Sequence, residues 1–344
     1  MTTDGGDRGP VEPSLPPELV DPAAARPGLS TFTIEGRAAP GLFVVGWLAT
    51  LAGVGLVLIG LLAPSGLFLY FLGPLLLAIG FIGGAGNQAL ERRARGFPYA
   101  GPSPYLVLAA TVAAVYVVAS SVGLVLQLSI GRGQVPDYWI NLVGVSLQAA
   151  VFIAILRLTV VGTGALSWAQ MGWRRFSGGA LRDLLFGAAV AIPVIGLTSI
   201  VAWILVSIFR VVPESPLPPT GVAAGLVVQL IAGAVIAPIA EEAVFRGFAI
   251  SAWRRTVGER GAIVRASLVF ALAHVINISG GSIGEAGGLI AVGFASRLPV
   301  ALALGWLFVR TGSIWAPIGL HMAFNGILLL AAESVQMSGA ASSG

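Results

Sequence analysis

Apolar residues run along this chain in long stretches separated by short polar connections, and only the first forty residues break that rhythm. A helix needs about 20 predominantly apolar residues to cross a bilayer. Nine stretches qualify, at 41–63, 67–86, 105–129, 138–160, 184–208, 221–250, 263–279, 289–309 and 313–335. The first two are joined only by Pro64-Ser65-Gly66, a tight turn at the membrane surface. The sixth is long and the seventh short, so the pattern predicts eight or nine spans, with tilt or a partly re-entrant path where those two meet. The expected fold is all-α, a polytopic transmembrane helical bundle.

Residues 1–40 are different in kind. They hold six acids, three arginines and a Pro-rich stretch from Pro10 to Pro27. Such a segment has too little apolar surface to offset the entropy of ordering, so a disordered acidic tail is expected. It lacks the basic start, apolar run and small-residue cleavage site of a signal peptide. The organisation read from the pattern is a tail at 1–40, N-terminal transmembrane helices at 41–165, an interfacial segment at 166–183, a helical core at 184–335 and a short tail at 336–344.

Composition sharpens this picture. The 344 residues are 56% apolar and 10% charged, with mean hydropathy +0.92. Soluble domains carry roughly 25% charged residues, which excludes a water-soluble globular protein. The absence of cysteine excludes thiol nucleophiles and cysteine-type zinc sites. The net charge of +4 comes from arginine alone, since the chain has no lysine. These arginines are scattered, without the dense basic cluster and interleaved aromatics of a nucleic-acid surface, so no nucleic-acid partner is expected. Connections after the second, fourth, sixth and eighth stretches hold twelve arginines, whereas those after the third, fifth and seventh hold only Arg132 and Arg210. By the positive-inside rule the N-terminus is cytoplasmic. A multi-pass protein of a prokaryotic plasma membrane follows, with membrane lipids as its surroundings. Leu166 to Arg182, with Trp168 and Trp173 beside an arginine pair, reads as a segment lying along the membrane face. No internal repeat of the transporter kind is visible.

The candidate chemistry lies in ionisable groups inside the spans, each costing at least ~2.5–3.5 kcal/mol at the bilayer centre. Glu241, Glu242 and Arg246 fall in the sixth stretch, His274 in the seventh, Arg297 in the eighth, and His321 and Asn325 in the ninth. Glu242 and Arg246 are one helical turn apart and can neutralise each other. Glu241 is rotated from Glu242 by about 100°, so it can point elsewhere. His321 and Asn325 share one stripe. Pro238 and Pro317 precede the two groups, and a proline inside a helix frees the carbonyl four residues back, which predicts a polar notch beside each. Each item also has a structural explanation: a Glu–Arg pair can be a neutralised strut, and a lone histidine more often bonds between helices than acts as a ligand. Arg297 reads as a helix-pairing or lipid-facing residue. What separates these groups from ordinary helix polarity is their joint occurrence, because His274 and His321 are the only histidines in the chain.

EEAVFR (Glu241–Arg246) resembles the EExxxR motif of the CAAX prenyl protease and bacteriocin-processing family of intramembrane endopeptidases. FALAH (Phe270–His274) is similar to its FxxxH motif, and HMAFN (His321–Asn325) to its HxxxN/D motif. The resemblance covers roughly residues 165–332. It implies that Glu241 is a general base for water and that His274 helps hold that water. It makes His321 and Asn325 oxyanion stabilisers, and Glu242 with Arg246 a supporting pair. It also implies a peptide or membrane-tethered protein substrate, prenylated or bacteriocin-like, cleaved near the membrane surface. Two mechanisms stay open. In one, His274, His321 and Glu241 bind zinc and leave a position for water; in the other, Glu241 activates water unaided. A non-catalytic scaffold or regulator and a proton-coupled transporter are the competing functions.

Overall fold

The computed structural model describes residues 37–62, 67–130, 134–213 and 218–342. The predicted acidic tail, apart from its last four residues, lies outside them, as does the Pro64-Ser65-Gly66 turn. The regular structure of the described residues is all helical, without a strand. Eight helices among them are long and apolar enough to cross a membrane, and the protein is a multi-pass membrane protein.

Helices α1 (Pro40–Leu62) and α2 (Leu67–Ala94) form a tight pair. The buried residues of α1 are Gly46, Gly53 and Gly60, seven apart and therefore on one face. A Cβ on Gly53 would stand 2.8 Å from the Leu77 backbone nitrogen, and one on Gly80 would collide with Thr50. Small residues here let two backbones touch, the usual basis of helix association in lipid. Helix α3 (Pro104–Ile130) follows, then α4 (Asp137–Leu156), which ends in a π turn at Arg157–Val161.

The stretch expected to lie along the membrane face is anchored in the protein. It makes one short turn at Ala169–Met171, and Leu166 and Met171 are buried in the core. Gly172, at φ 81°, brings the chain against Phe308 and Ile314, and its carbonyl accepts from Ile314 N at 3.0 Å. Helix α5 (Gly178–Phe209) starts six residues earlier than the apolar stretch does.

From Ala223 the helix is irregular. It runs as α6 (Ala223–Gln229), a π segment (Leu230–Ile236), α7 (Ala237–Glu242), a second π segment (Ala243–Ile250) and α8 (Ser251–Ala273). Within α8, Gly258 has φ 75° and ψ 175°, which no helix accommodates. Ile250 before this break and Ile263 after it both pack on Gly305. Thirteen residues of straight helix would hold them about 20 Å apart, so residues 259–273 fold back beside the first arm. This explains the uncertain span count: the returning arm is too short to cross a bilayer by itself. Helices α9 (Ile283–Thr311) and α10 (Trp315–Ser342) complete the bundle, with α9 capped by Ser282 Oγ accepting from Glu285 N.

Candidate active site

Glu241 and Glu242 are the last residues of α7, between the two π segments. π turns inside helices concentrate at functional sites because they re-aim side chains within a helix. The Glu242 and Arg246 side chains are completely buried, and Arg246 Nη1 donates to Glu242 Oε1 at 2.9 Å. Arg246 Nη2 also donates to the Ala301 carbonyl of α9 at 3.3 Å. The same Glu242 Oε1 lies 2.8 Å from His321 Nδ1. One carboxylate oxygen therefore ties α7, the following π segment and α10 together.

Each imidazole is oriented by its Nδ1. His274 Nδ1 lies 2.8 Å from the Phe270 carbonyl one turn back. A carbonyl only accepts, so this nitrogen carries the hydrogen. His321 Nδ1 meets an ionisable carboxylate in the same way. Both rings thus direct Nε2 elsewhere, and both reach Glu241: Oε2 is 3.7 Å from His274 Nε2 and 3.9 Å from His321 Nε2. That oxygen is buried and has no hydrogen-bond partner. Both separations lie beyond direct hydrogen-bond reach.

Phe270 is the aromatic centre of the cluster. Its ring lies 4.4 Å from the His274 ring, 5.9 Å from that of His321 and 5.2 Å from that of Phe245, with the Arg246 guanidinium carbon 4.4 Å above it. A desolvated cation–π contact of this kind is worth about 2 kcal/mol. The motif places Phe270 one turn from His274, a spacing the sequence does carry.

Two expectations change. Pro238 was to free the carbonyl four residues back, but the preceding turn is π-helical: Ala237 N bonds to Ala232 O, five back. In that register the missing N–H of Pro238 orphans Gly233 O, and Asn325 Nδ2 donates to it at 2.8 Å. One amide hydrogen of Asn325 is thus spent on α10-to-π-segment bonding. Pro317 makes no notch, because α10 begins at Trp315 and a proline in the first turn removes only an unneeded donor. Among the described residues no group of three or more His, Cys, Asp or Glu side chains forms a metal-binding cluster.

Arg297 is the residue that local spacing did not reveal. It is half-buried on α9, donates Nη1 to its own Gly293 carbonyl at 2.7 Å, and interacts electrostatically with Glu241 and His274. Glu333, also buried, lies apart from the site and is bonded to Thr220, whose N donates to Oε2 at 2.7 Å.

Helical spans enclosing two carboxylates and two imidazoles define a multi-pass membrane protein with a buried polar centre. Residues 223–327 match the family described as type II CAAX prenyl endopeptidase Rce1-like, and over this region the chain is similar to that family of intramembrane proteases. The match takes in all three motifs and leaves α1–α5 outside, narrower than the 165–332 read from the motifs. No curated protein and no solved structure matches the chain.

Proposed function

We propose that this protein hydrolyses a peptide bond of a lipidated or bacteriocin-like, membrane-tethered substrate, using water activated by Glu241, in the plasma membrane of a prokaryotic cell. The observation that carries the reading is the unpartnered Glu241 Oε2 facing both Nε2 atoms. With both rings neutral, three acceptors surround one point, and a single water has two hydrogens to give. One of the three must then hold a proton. His321 is the suitable one, because the carboxylate of Glu242 stands at its other nitrogen.

The steps follow from these roles. Glu241 and His274 accept the two hydrogens of the water, which exposes its oxygen lone pair to the scissile carbonyl carbon. As the C–O bond forms, a proton passes to Glu241 and the oxyanion receives a hydrogen bond from protonated His321 Nε2. Asn325 contributes its second amide hydrogen. Collapse breaks the C–N bond, and Glu241 returns its proton to the leaving amine. Arg246 keeps Glu242 compensated and in place. Positioned acid–base groups of this kind contribute roughly 10²–10⁴-fold in rate.

The test is cleavage of a membrane-tethered peptide by purified protein in proteoliposomes. Glu241→Gln and His274→Ala are expected to lose turnover while staying folded, and undiminished turnover in both overturns the proposal. The same assay after chelation separates the mechanisms. Full activity supports the carboxylate mechanism, whereas a loss restored by zinc assigns the water to a metal on these side chains.

A further inference from the structure

At the end of the bundle where α9 stops and α10 starts, a cavity of about 540 Å³ is lined by Arg174, Arg182, Asp183, Phe186, Arg310 and Thr311. We propose that it is a binding site for a phosphate-bearing anion, the headgroup of an acidic phospholipid. This is independent of the protease reading.

The charge points to an anion. Three guanidinium groups face one carboxylate, and Asp183 reaches only Arg182, at 3.8 Å. Arg174 and Arg310 make no ion pair among the described residues. The uncompensated charge matches a phosphodiester or phosphomonoester, and arginine's planar fork suits phosphate oxygens. The volume falls within the roughly 300–1,000 Å³ of small-molecule sites.

The lining is held in position. Trp315 Nε1 donates to the Arg174 carbonyl at 3.0 Å, and Trp315 packs edge-on against Trp173 and Phe176 at 5.9 and 5.2 Å. The Arg174 guanidinium lies over Gly312, whose φ of 60° turns the chain between α9 and α10. Arg310 stacks 5.6 Å above the Trp306 ring, and Thr311 Oγ1 donates to Leu307 O at 2.8 Å. Tryptophans beside arginines mark the headgroup level of a bilayer. Beside the cavity-lining Phe186, α5 exposes Leu185 and Ile192, two turns apart on one face, an apolar track for acyl chains. A cavity with charge at the rim and such a track beside it fits a phospholipid better than free phosphate.

Full-length protein is purified in mild detergent and bound phospholipid is measured by native mass spectrometry and by titration with phosphatidylglycerol, phosphatidylcholine and inorganic phosphate. Phosphatidylglycerol is expected to bind and to raise the unfolding temperature, while phosphatidylcholine does neither. Arg174→Gln and Arg310→Gln should each weaken binding about fivefold, the effect of ~1 kcal/mol per basic residue. Arg260→Gln and Arg265→Gln remove equal charge elsewhere and should leave it unchanged. Equal losses in both pairs overturn the proposal in favour of general surface attraction. Binding of inorganic phosphate as strong as that of phosphatidylglycerol overturns the lipid assignment.

Discussion

In the α1–α2 pair backbone meets backbone. Gly46, Gly53 and Gly60 let α1 touch α2. In the α7–α10 region side chain meets side chain, with an arginine, two carboxylates and two imidazoles from four segments gathered around Phe270. The burial within the spans follows the same division. The most apolar windows of α1 and α2 are 11% and 28% buried, against 44% for Ala223–Ala273 and for α9 and 39% for α10. Lipid can solvate a helix whose contacts are glycine and methyl groups. It cannot solvate charge, so the polar centre needs protein on all sides.

The division can be tested from its strongest point downward. Glu241→Gln should reduce turnover by about 10²–10⁴-fold with little change in unfolding temperature, since Oε2 makes no bond to lose; kinetics and a melting curve on one sample decide it. Arg246→Met leaves the buried Glu242 with His321 as its one remaining partner, which should destabilise the protein by about 3–5 kcal/mol in denaturant titrations. Adding Glu242→Gln to that variant should recover part of the loss without recovering activity. Asn325→Ala exposes the defect at Gly233 O and should cost about 1–3 kcal/mol. Combined with Pro238→Ala, which restores an N–H in the π register, the cost should shrink; an additive double variant would break this account. Gly80→Val forces α1 from α2 and should cost about 1–3 kcal/mol, with turnover per folded molecule unchanged. Loss of turnover there would join the two regions that the comparison separates.

The spans were readable because apolar length is a one-dimensional property, and the Glu242–Arg246 pair because one helical turn is a fixed spacing. The rest depended on geometry that local spacing does not hold. A π turn moved the carbonyl freed by Pro238 from four residues back to Gly233. The start of α10 at Trp315 turned Pro317 from a kink into a helix opening. Arg297 acts on Glu241 and His274 only through its charge and from another helix, a relation its neighbours in the chain do not carry. Phe270 was visible as a motif letter, but its place beneath Arg246 and beside both rings required the fold-back at Gly258.

Both imidazoles commit Nδ1 to a neighbour and leave Nε2 for Glu241, and the chain has no third histidine. The protein is for that reason its own spectroscopic probe. Labelled with ¹⁵N-histidine alone, every ring-nitrogen resonance comes from the centre, with no background to subtract. Tautomer, protonation and the arrival of a substrate can then be followed at the same two rings, in a membrane, without attaching any reporter.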